Sequence, residues 1–239
     1  MTEAVKQTLI DGLAALGLTP DPQAADRLAL YCDRLLEKNQ VMNLTAITEP
    51  GEVVTRHFLD SAALLVHQDL HGKRVIDVGT GAGFPGLVLK IVDPSIQLTL
   101  LDTLGKRVDW LSEVCEELGL SDTECLKGRA EEVSRQKQYR DRYDAAVSRA
   151  VASMTMLSEL CLPYVRPGGV FLAMKSSKSD EEVQAAGPIL AALGGTVPTV
   201  TDYLLPGTEL SHRLVTVRKS KATPKVYPRK WTKIKEGKI

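Results

Sequence analysis

The sequence lacks the features of a membrane protein or an exported protein. No apolar run approaches the roughly 18 residues that a membrane span needs. Residues 1–7 include an acid and do not show the basic-then-apolar order of a secretory signal. We therefore expect a cytoplasmic protein that does not contact a membrane.

Cysteine is scarce, and no residue pattern indicates a metal. The four cysteines are far apart and form no CxxC pair, which argues against a disulfide framework or a zinc cluster. His67 and His71 stand four residues apart, but the glutamate of an HExxH motif is missing between them. We expect a surface pair of histidines and no bound metal.

Aromatic residues make up only 5% of the 239 residues, but 44% are apolar and 25% are charged, which suffices for a folded core. Residues 1–72 show apolar spacing typical of helices, whereas β-branched runs alternate with helical patterns from residue 73 onward. This alternation predicts an α/β fold with a mainly parallel sheet. Two strands without a helix between them, after residue 193, predict an antiparallel edge hairpin.

Charge divides the chain unevenly, although the net charge is zero. Residues 218–239 contain nine Lys or Arg and one Glu, a net charge of +8, whereas residues 1–217 contain 21 bases and 29 acids, a net charge of −8. We predict three parts: a helical N-terminal region (1–72), an α/β domain (73–217) and a basic tail (218–239). The basic charge of the tail predicts an extended arm that becomes ordered when it binds nucleic acid. The alternatives are a solvated terminus and a tail folded back on the body.

A glycine-rich turn follows the first predicted strand. Residues 77–86 read Asp-Val-Gly-Thr-Gly-Ala-Gly-Phe-Pro-Gly, and Gly79, Gly81 and Gly83 would let the backbone approach a ligand closely. The acid at Asp77, followed by GxGxG, resembles motif I of class I methyltransferases, whereas a nicotinamide site usually has an apolar residue there. Asp102, at the end of the next strand, can accept from ribose hydroxyls with either cofactor, or cap the following helix.

Later strand ends supply further candidates. Ala130 and Glu131 follow the third strand and could contact an adenine edge, although acids also favour a helix start. Arg149 follows the fourth strand, where it could contact cofactor or substrate. The [DNS]-Pro-Pro-aromatic motif of amine methyltransferases is absent there, and no cysteine occupies the place of a nucleophile. The acceptor is therefore either already nucleophilic or activated by a base that the sequence does not identify.

Several segments together resemble one family, the bacterial small-subunit ribosomal RNA methyltransferase G. They occupy about residues 40–175 and include the glycine turn, Arg-His-Phe-Leu-Asp-Ser at 56–61, Leu-Gly-Lys-Arg at 104–107 and Ser-Arg-Ala at 148–150. The resemblance implies a class I methyltransferase fold and S-adenosyl-L-methionine as the cofactor. It also implies cofactor contacts at Gly79, Phe84, Ala130, Glu131 and Arg149.

The resemblance further implies N7-methylation of a guanine in the 530 loop of 16S rRNA, near the decoding site. The RNA or the small-subunit particle is then the partner, and a monomer is our expectation. The basic side chains that we expect to contact RNA, together with one histidine, are Arg56, His57, Lys106, Arg107, Lys175 and Arg213. Open alternatives are a methyltransferase for another RNA, a protein or a small molecule, a nicotinamide-dependent reductase, and a non-catalytic ribosome-assembly factor.

Overall fold

A computed structural model describes residues 1–149 and 152–237, which form a seven-stranded sheet with helices on both faces. The strands are β1 (Arg74–Val78), β2 (Gln97–Asp102), β3 (Thr123–Lys127), β4 (Tyr143–Arg149), β5 (Val165–Ser176), β6 (Thr199–Leu204) and β7 (Ser211–Arg218). Their order is β3-β2-β1-β4-β5-β7-β6. Strands β1 to β5 are parallel, whereas β7 runs antiparallel to β5 and β6. The predicted parallel sheet with an antiparallel edge hairpin is confirmed.

The helices fall into two groups that cover opposite faces of the sheet. The first group is α1 (Glu3–Ala15), α2 (Ala24–Met42), α3 (Pro50–Val53), α4 (Asp60–Ala62), α5 (Leu64–His67), α6 (Gly86–Val92) and α7 (Gly105–Glu117). The second group is α8 (Ala130–Val133), α9 (Met154–Cys161), α10 (Asp180–Ala185), α11 (Gly187–Leu193) and α12 (Trp231–Lys235). A π-helical turn, Val54–Leu59, joins α3 to α4.

The core follows from the alternation of side chains along the central strands. In β4, Ala145 and Val147 pack into the cluster that contains the N-terminal helices, and Ala146 packs into the cluster that contains α9 and α11. Both faces of these strands are buried, so they read as nearly continuous apolar runs. The helical N-terminal region therefore shares its core with the sheet.

The apolar spacing over 153–165 and over 179–193 predicts two helices, and both are shorter in the structure. The pattern over 179–193 forms two helices, because Pro188 at the start of α11 has no N–H to donate. The pattern over 153–165 ends as α-helix at Cys161, and Pro163 lies in the 3₁₀ turn that follows.

The expectation of an extended C-terminal arm is wrong for the described part of the tail, residues 218–237. Lys219 is 1% exposed, and its Nζ donates to Asp141 at 2.9 Å and to two backbone carbonyls. Arg229 pairs with the buried Glu159, and the side chain of Ile234 is also buried. A count of charges in the sequence treats every base of the tail as solvated. In the structure, however, two of these bases donate to buried acceptors on the body. Lys238 lies outside the described residues.

Candidate active site

The glycine turn lies between β1 and α6, at the carboxyl edge of the parallel strands. Gly79, Gly81 and Gly83 have φ values of +76°, +60° and +102°, a region that favours glycine. A Cβ on Gly79 would have no atom within 4 Å, and one on Gly81 would meet only the Gly79 carbonyl, at 4.0 Å. A Cβ on Gly83 would lie 2.7 Å from the Tyr31 hydroxyl. Gly79 and Gly81 therefore border open space where a ligand can lie, whereas Gly83 makes room for protein packing.

Asp77 organises the underside of this turn. Its Oδ2 accepts hydrogen bonds from the Gly86 N–H and the Thr80 hydroxyl, both at 2.8 Å. Its Oδ1 is buried and has no partner among residues 1–149 and 152–237. Burial raises the pKa of Asp77 to about 6. A buried carboxylate oxygen that lacks a donor fits a cationic ligand, and S-adenosylmethionine carries both an ammonium and a sulfonium.

Asp102 ties the end of β2 to the glycine turn. Its Oδ2 accepts from the Gly81 N–H at 3.0 Å, and its Oδ1 accepts from the Leu104 N–H at 2.9 Å, just before α7. The Arg107 guanidinium lies 3.7 Å from the same carboxylate. Each carboxylate oxygen can accept more than one hydrogen bond. Asp102 therefore supports the turn and the helix start, and it retains acceptor capacity for ribose hydroxyls.

Ala130 and Glu131 begin α8, beside the carboxyl end of β3. The Glu131 carboxylate is buried and accepts from Arg129 Nε at 2.7 Å. The Ala130 carbonyl accepts from the Tyr164 hydroxyl at 2.8 Å. These bonds fix the turn that was predicted to contact adenine.

The π-helical turn brings Arg56 and His57 to the same edge as the glycine turn. The His57 ring lies 4.6 Å from the Phe84 ring, and the Arg149 guanidinium lies 4.7 Å above that ring. A cleft of about 480 Å³ is bordered by Arg56, His57 and Arg149, by the carboxyl end of β5 and by the start of β7. π-helical turns are frequent at functional sites.

His57 is held as a neutral ring. Burial, and next the charge of Arg149, lower the pKa of His57 to about 4. Its Nδ1 lies 3.1 Å from the Arg56 carbonyl, which only accepts, so the proton is assigned to Nδ1. Its Nε2 then accepts from the Thr45 hydroxyl at 2.8 Å. Both ring nitrogens are therefore engaged by the protein.

Sequence reasoning missed a polar cluster around Asp60. Its Oδ1 accepts from the Tyr203 hydroxyl at 2.9 Å and lies 2.9 Å from His212 Nδ1, and its Oδ2 lies 3.5 Å from Arg149. Asp60 is 2% exposed. The Arg-His-Phe-Leu-Asp-Ser segment could have drawn attention to Asp60, but no local signal marks Tyr203 or His212.

Two of the predicted RNA contacts are paired with acids of the protein, although Lys175 also lines the cleft. Lys175 donates to Glu182 at 2.9 Å and to the Ala152 carbonyl, and Arg213 pairs with Asp180 and Asp202. Both side chains are 7% exposed. These ion pairs give Lys175 and Arg213 structural roles, and contact of either side chain with RNA stays a prediction. By contrast, Arg56 and Lys106 are exposed.

Comparison with known proteins identifies the family. The family model described as rRNA small subunit methyltransferase G matches residues 24–204. The ribosomal RNA small subunit methyltransferase G of Alkaliphilus metalliredigens is 47% identical, over 94% of this chain and 95% of its own. That of Lachnoclostridium phytofermentans is 44% identical, over 93% and 92%. This chain belongs to the rRNA small subunit methyltransferase G family.

Solved structures agree with this assignment at the level of the fold. A SAM-dependent methyltransferase from Aquifex aeolicus superposes with a TM-score of 0.53 at 20% identity, over 73% of this chain and 96% of that one. A SAM-dependent O-methyltransferase from Thermotoga maritima gives 0.51 at 17% identity, over 80% and 73%. The predictions of the family, the class I methyltransferase fold, a methyltransferase enzyme and S-adenosyl-L-methionine as its cofactor are confirmed.

Among the described residues of this family member, no cluster of side chains could hold a metal ion. Among the same residues, no helix is long and apolar enough to span a membrane. Ala150, part of the Ser-Arg-Ala segment on which the resemblance partly rested, lies outside the described residues.

Proposed function

We propose that this protein methylates N7 of a guanine in the 530 loop of 16S rRNA, as a cytoplasmic monomer. Membership of the family supports an rRNA substrate, because the names of the relatives specify small-subunit ribosomal RNA. The choice of N7 and of the 530 loop comes from the resemblance noted in the sequence. The chemistry of the cleft supports N7.

The observation that carries the choice of N7 is that His57, the cleft histidine that packs against Phe84 of the glycine turn, is not a competent base. His212, the other histidine in the lining, lies on β7 against Asp60. His57 is neutral and weakly basic, and both of its nitrogens are engaged. Asp60 is the one carboxylate in that lining, and three side chains already surround it. Guanine N7 needs no base, since it carries an in-plane lone pair and no proton.

The residues of the cleft would then act by positioning. S-adenosylmethionine supplies an electrophilic methyl group on a sulfonium when it is bound. Arg149, held over Phe84 and beside Asp60, gives the floor of the cleft a fixed positive group for an RNA phosphate or a base oxygen. Such positioning can supply about 7–11 kcal/mol of a reaction barrier. The nearby charge of Asp60 favours the cationic ring of the product.

The test is methyl transfer followed by mapping of the modified base. The protein is incubated with labelled S-adenosylmethionine and either 16S rRNA or small-subunit particles, and the RNA is then cleaved chemically at N7-methylguanine. We expect one cleavage in the 530 loop. Label at another atom or another site would overturn the assignment, and no transfer to either substrate would overturn the proposed function.

A matched pair of variants relates the reaction to the cleft. Arg149→Ala should lower the single-turnover rate by about 100-fold, as expected when a positioned charge is lost. Arg166→Ala is the control, because Arg166 is exposed and pairs with Asp144 outside the cleft. Equal rates for the two variants would remove Arg149 from the mechanism.

A further inference from the structure

The docked tail runs from one edge of the sheet to the other. At its start, Lys219 donates to the Val165 carbonyl, where β5 begins. At its end, Trp231 lies 5.3 Å from the Arg129 guanidinium, directly after the carboxyl end of β3. The tail therefore ends at the edge of the sheet that carries the glycine turn and the cleft.

Several strong contacts hold the tail in this position. The buried Glu159 accepts from the Arg229 backbone N–H at 2.6 Å and from its Nη2 at 2.8 Å. Arg140 donates to the Thr223 carbonyl at 2.9 Å, and Arg135 donates to the Pro228 carbonyl. The contacts with Arg140 and Arg135 use only the backbone of the tail, and every described tail lysine except Lys219 stays exposed.

The exposed charge of the docked tail is almost all positive. No described acid pairs with any of five exposed bases, namely Arg218, Lys221, Lys225, Lys230 and Lys235. Lys233 contacts Glu236 at 3.2 Å. The body carries an excess of acids, yet the fold does not use them to neutralise these bases. Like charges held together repel each other, and a polyanion relieves that repulsion.

We propose that residues 218–237 form an RNA-binding surface whose exposed bases contact phosphates of the substrate while the tail stays docked on the body. This inference rests on the proposed function, because it takes rRNA as the substrate. The surface ends at the carboxyl edge of the sheet, which is also the edge at which the cleft opens, and its charge offsets the acidic body, residues 1–217. The charge suits a phosphate backbone rather than a particular base sequence.

The first experiment measures RNA affinity across a salt series with the full-length protein. In the variant Lys225→Gln/Lys230→Gln/Lys235→Gln, the slope of log affinity against log salt should become shallower by about 2–3, since each phosphate contact contributes about 0.7–0.9. The control is Arg27→Gln/Lys38→Gln/Lys73→Gln, in which Arg27 and Lys38 lie on α2, on the opposite face of the sheet. We expect the control to keep the wild-type slope. A wild-type slope in the tail variant would overturn the inference.

A second experiment separates a docked surface from a free arm. Glu159→Gln removes the charged partner of Arg229, and Ile234→Ser removes the buried apolar contact of α12. Each variant keeps every basic side chain of the tail. We expect each variant to bind RNA about fivefold or more weakly at 0.15 M salt, with unchanged cofactor affinity as the check of folding. Wild-type RNA affinity in a folded variant of either kind would show that docking is not needed and would overturn the inference.

The outcomes for the surface and for the proposed function can be distinguished. If the wild type methylates 16S rRNA but the tail variant keeps the wild-type slope, only the inference about the tail fails. If the wild type binds RNA through the tail but transfers no methyl group to 16S rRNA or to the particle, the proposed function fails and the binding surface stands. If the full-length protein binds an acidic protein more tightly than RNA at the same salt concentration, the inference is also overturned.

Discussion

The buried carboxylate of Asp77 leads to a prediction in which stability and cofactor binding change in opposite directions. The change is Asp77→Asn. Asparagine can still accept from the Gly86 N–H and the Thr80 hydroxyl through its oxygen, which preserves the two bonds that the structure shows. It removes the negative charge whose second oxygen has no partner among the described residues.

The magnitude follows from the pKa of the carboxyl group. Burial raises the pKa of Asp77 from 3.8 to about 6, which corresponds to a cost of about 3 kcal/mol for the ionised form in the cofactor-free protein. Because the folded pKa is the higher one, this cost is absent below about pH 4 and reaches its full value above about pH 6. The new amide N–H₂ would lack an acceptor, which costs about 1–2 kcal/mol. Near pH 7.5 we expect Asp77→Asn to be more stable than the wild type by about 1–2 kcal/mol without cofactor.

The affinity of Asp77→Asn for the cofactor should be lower than that of the wild type. If Asp77 Oδ1 receives the ammonium of S-adenosylmethionine, the neutral variant loses a charge-assisted bond worth about 1.5–3 kcal/mol, a roughly 10- to 150-fold weaker affinity. In the wild type, affinity should increase from pH 5 to pH 7 as the carboxyl group ionises, and in the variant it should not.

The assays are denaturant unfolding without cofactor at pH 4.5 and 7.5, and calorimetric titration of S-adenosylmethionine. Asp109→Asn serves as the control, because Asp109 is exposed on α7. The stability advantage of Asp77→Asn should vanish at the lower pH. A variant that is less stable at pH 7.5 and binds cofactor normally would refute both the assigned cost of the buried charge and its role in binding.

Three further predictions concern the same edge of the sheet. Gly81→Val should abolish cofactor binding in a folded protein, whereas Gly83→Ala should chiefly lower the melting temperature, since its Cβ would meet the Tyr31 hydroxyl at 2.7 Å; titration and thermal denaturation distinguish them. Asp102→Ala should weaken cofactor binding by about 1–3 kcal/mol and also destabilise the fold; unchanged affinity would leave it only a structural role. The single-turnover rate should stay nearly flat from about pH 6.5 to 8.5, because the pKa of His57, about 4, lies below that range; a steep rise would indicate an essential base and contradict N7 as the acceptor.

Local patterns in the sequence predicted the sheet and the glycine turn well. The strand Arg74–Val78 and the glycine turn after it are determined by residues that are close together in the sequence. Residue spacing alone therefore predicts that a strand is followed by a turn here. The edge hairpin was predicted because no helical pattern separates its two strands. The break before α11 was missed, although Pro188 marked it.

The polar cluster of the cleft could not be predicted in this way. Tyr203 is 143 residues from Asp60 in sequence, and their hydrogen bond exists only because the sheet places β6 and β7 beside β5. The docked tail was missed for a related reason. A count of charges cannot show that the buried Glu159 and the half-buried Asp141 are acceptors placed to receive Arg229 and Lys219.

The edge hairpin therefore has a role in the cleft as well as at the margin of the sheet. Its residue Tyr203 donates to Asp60, on the helix that follows the π-helical turn, and its His212 Nδ1 lies 2.9 Å from the same carboxylate. Asp60 in turn lies against Arg149 at the end of β4, and Arg149 covers Phe84 in the glycine turn. A buried carboxylate is stable only when polar partners surround it, so Tyr203, His212 and Arg149 must be in place together. The cleft thus takes its shape from both halves of the sheet, which is why neither half of the sequence alone indicates it.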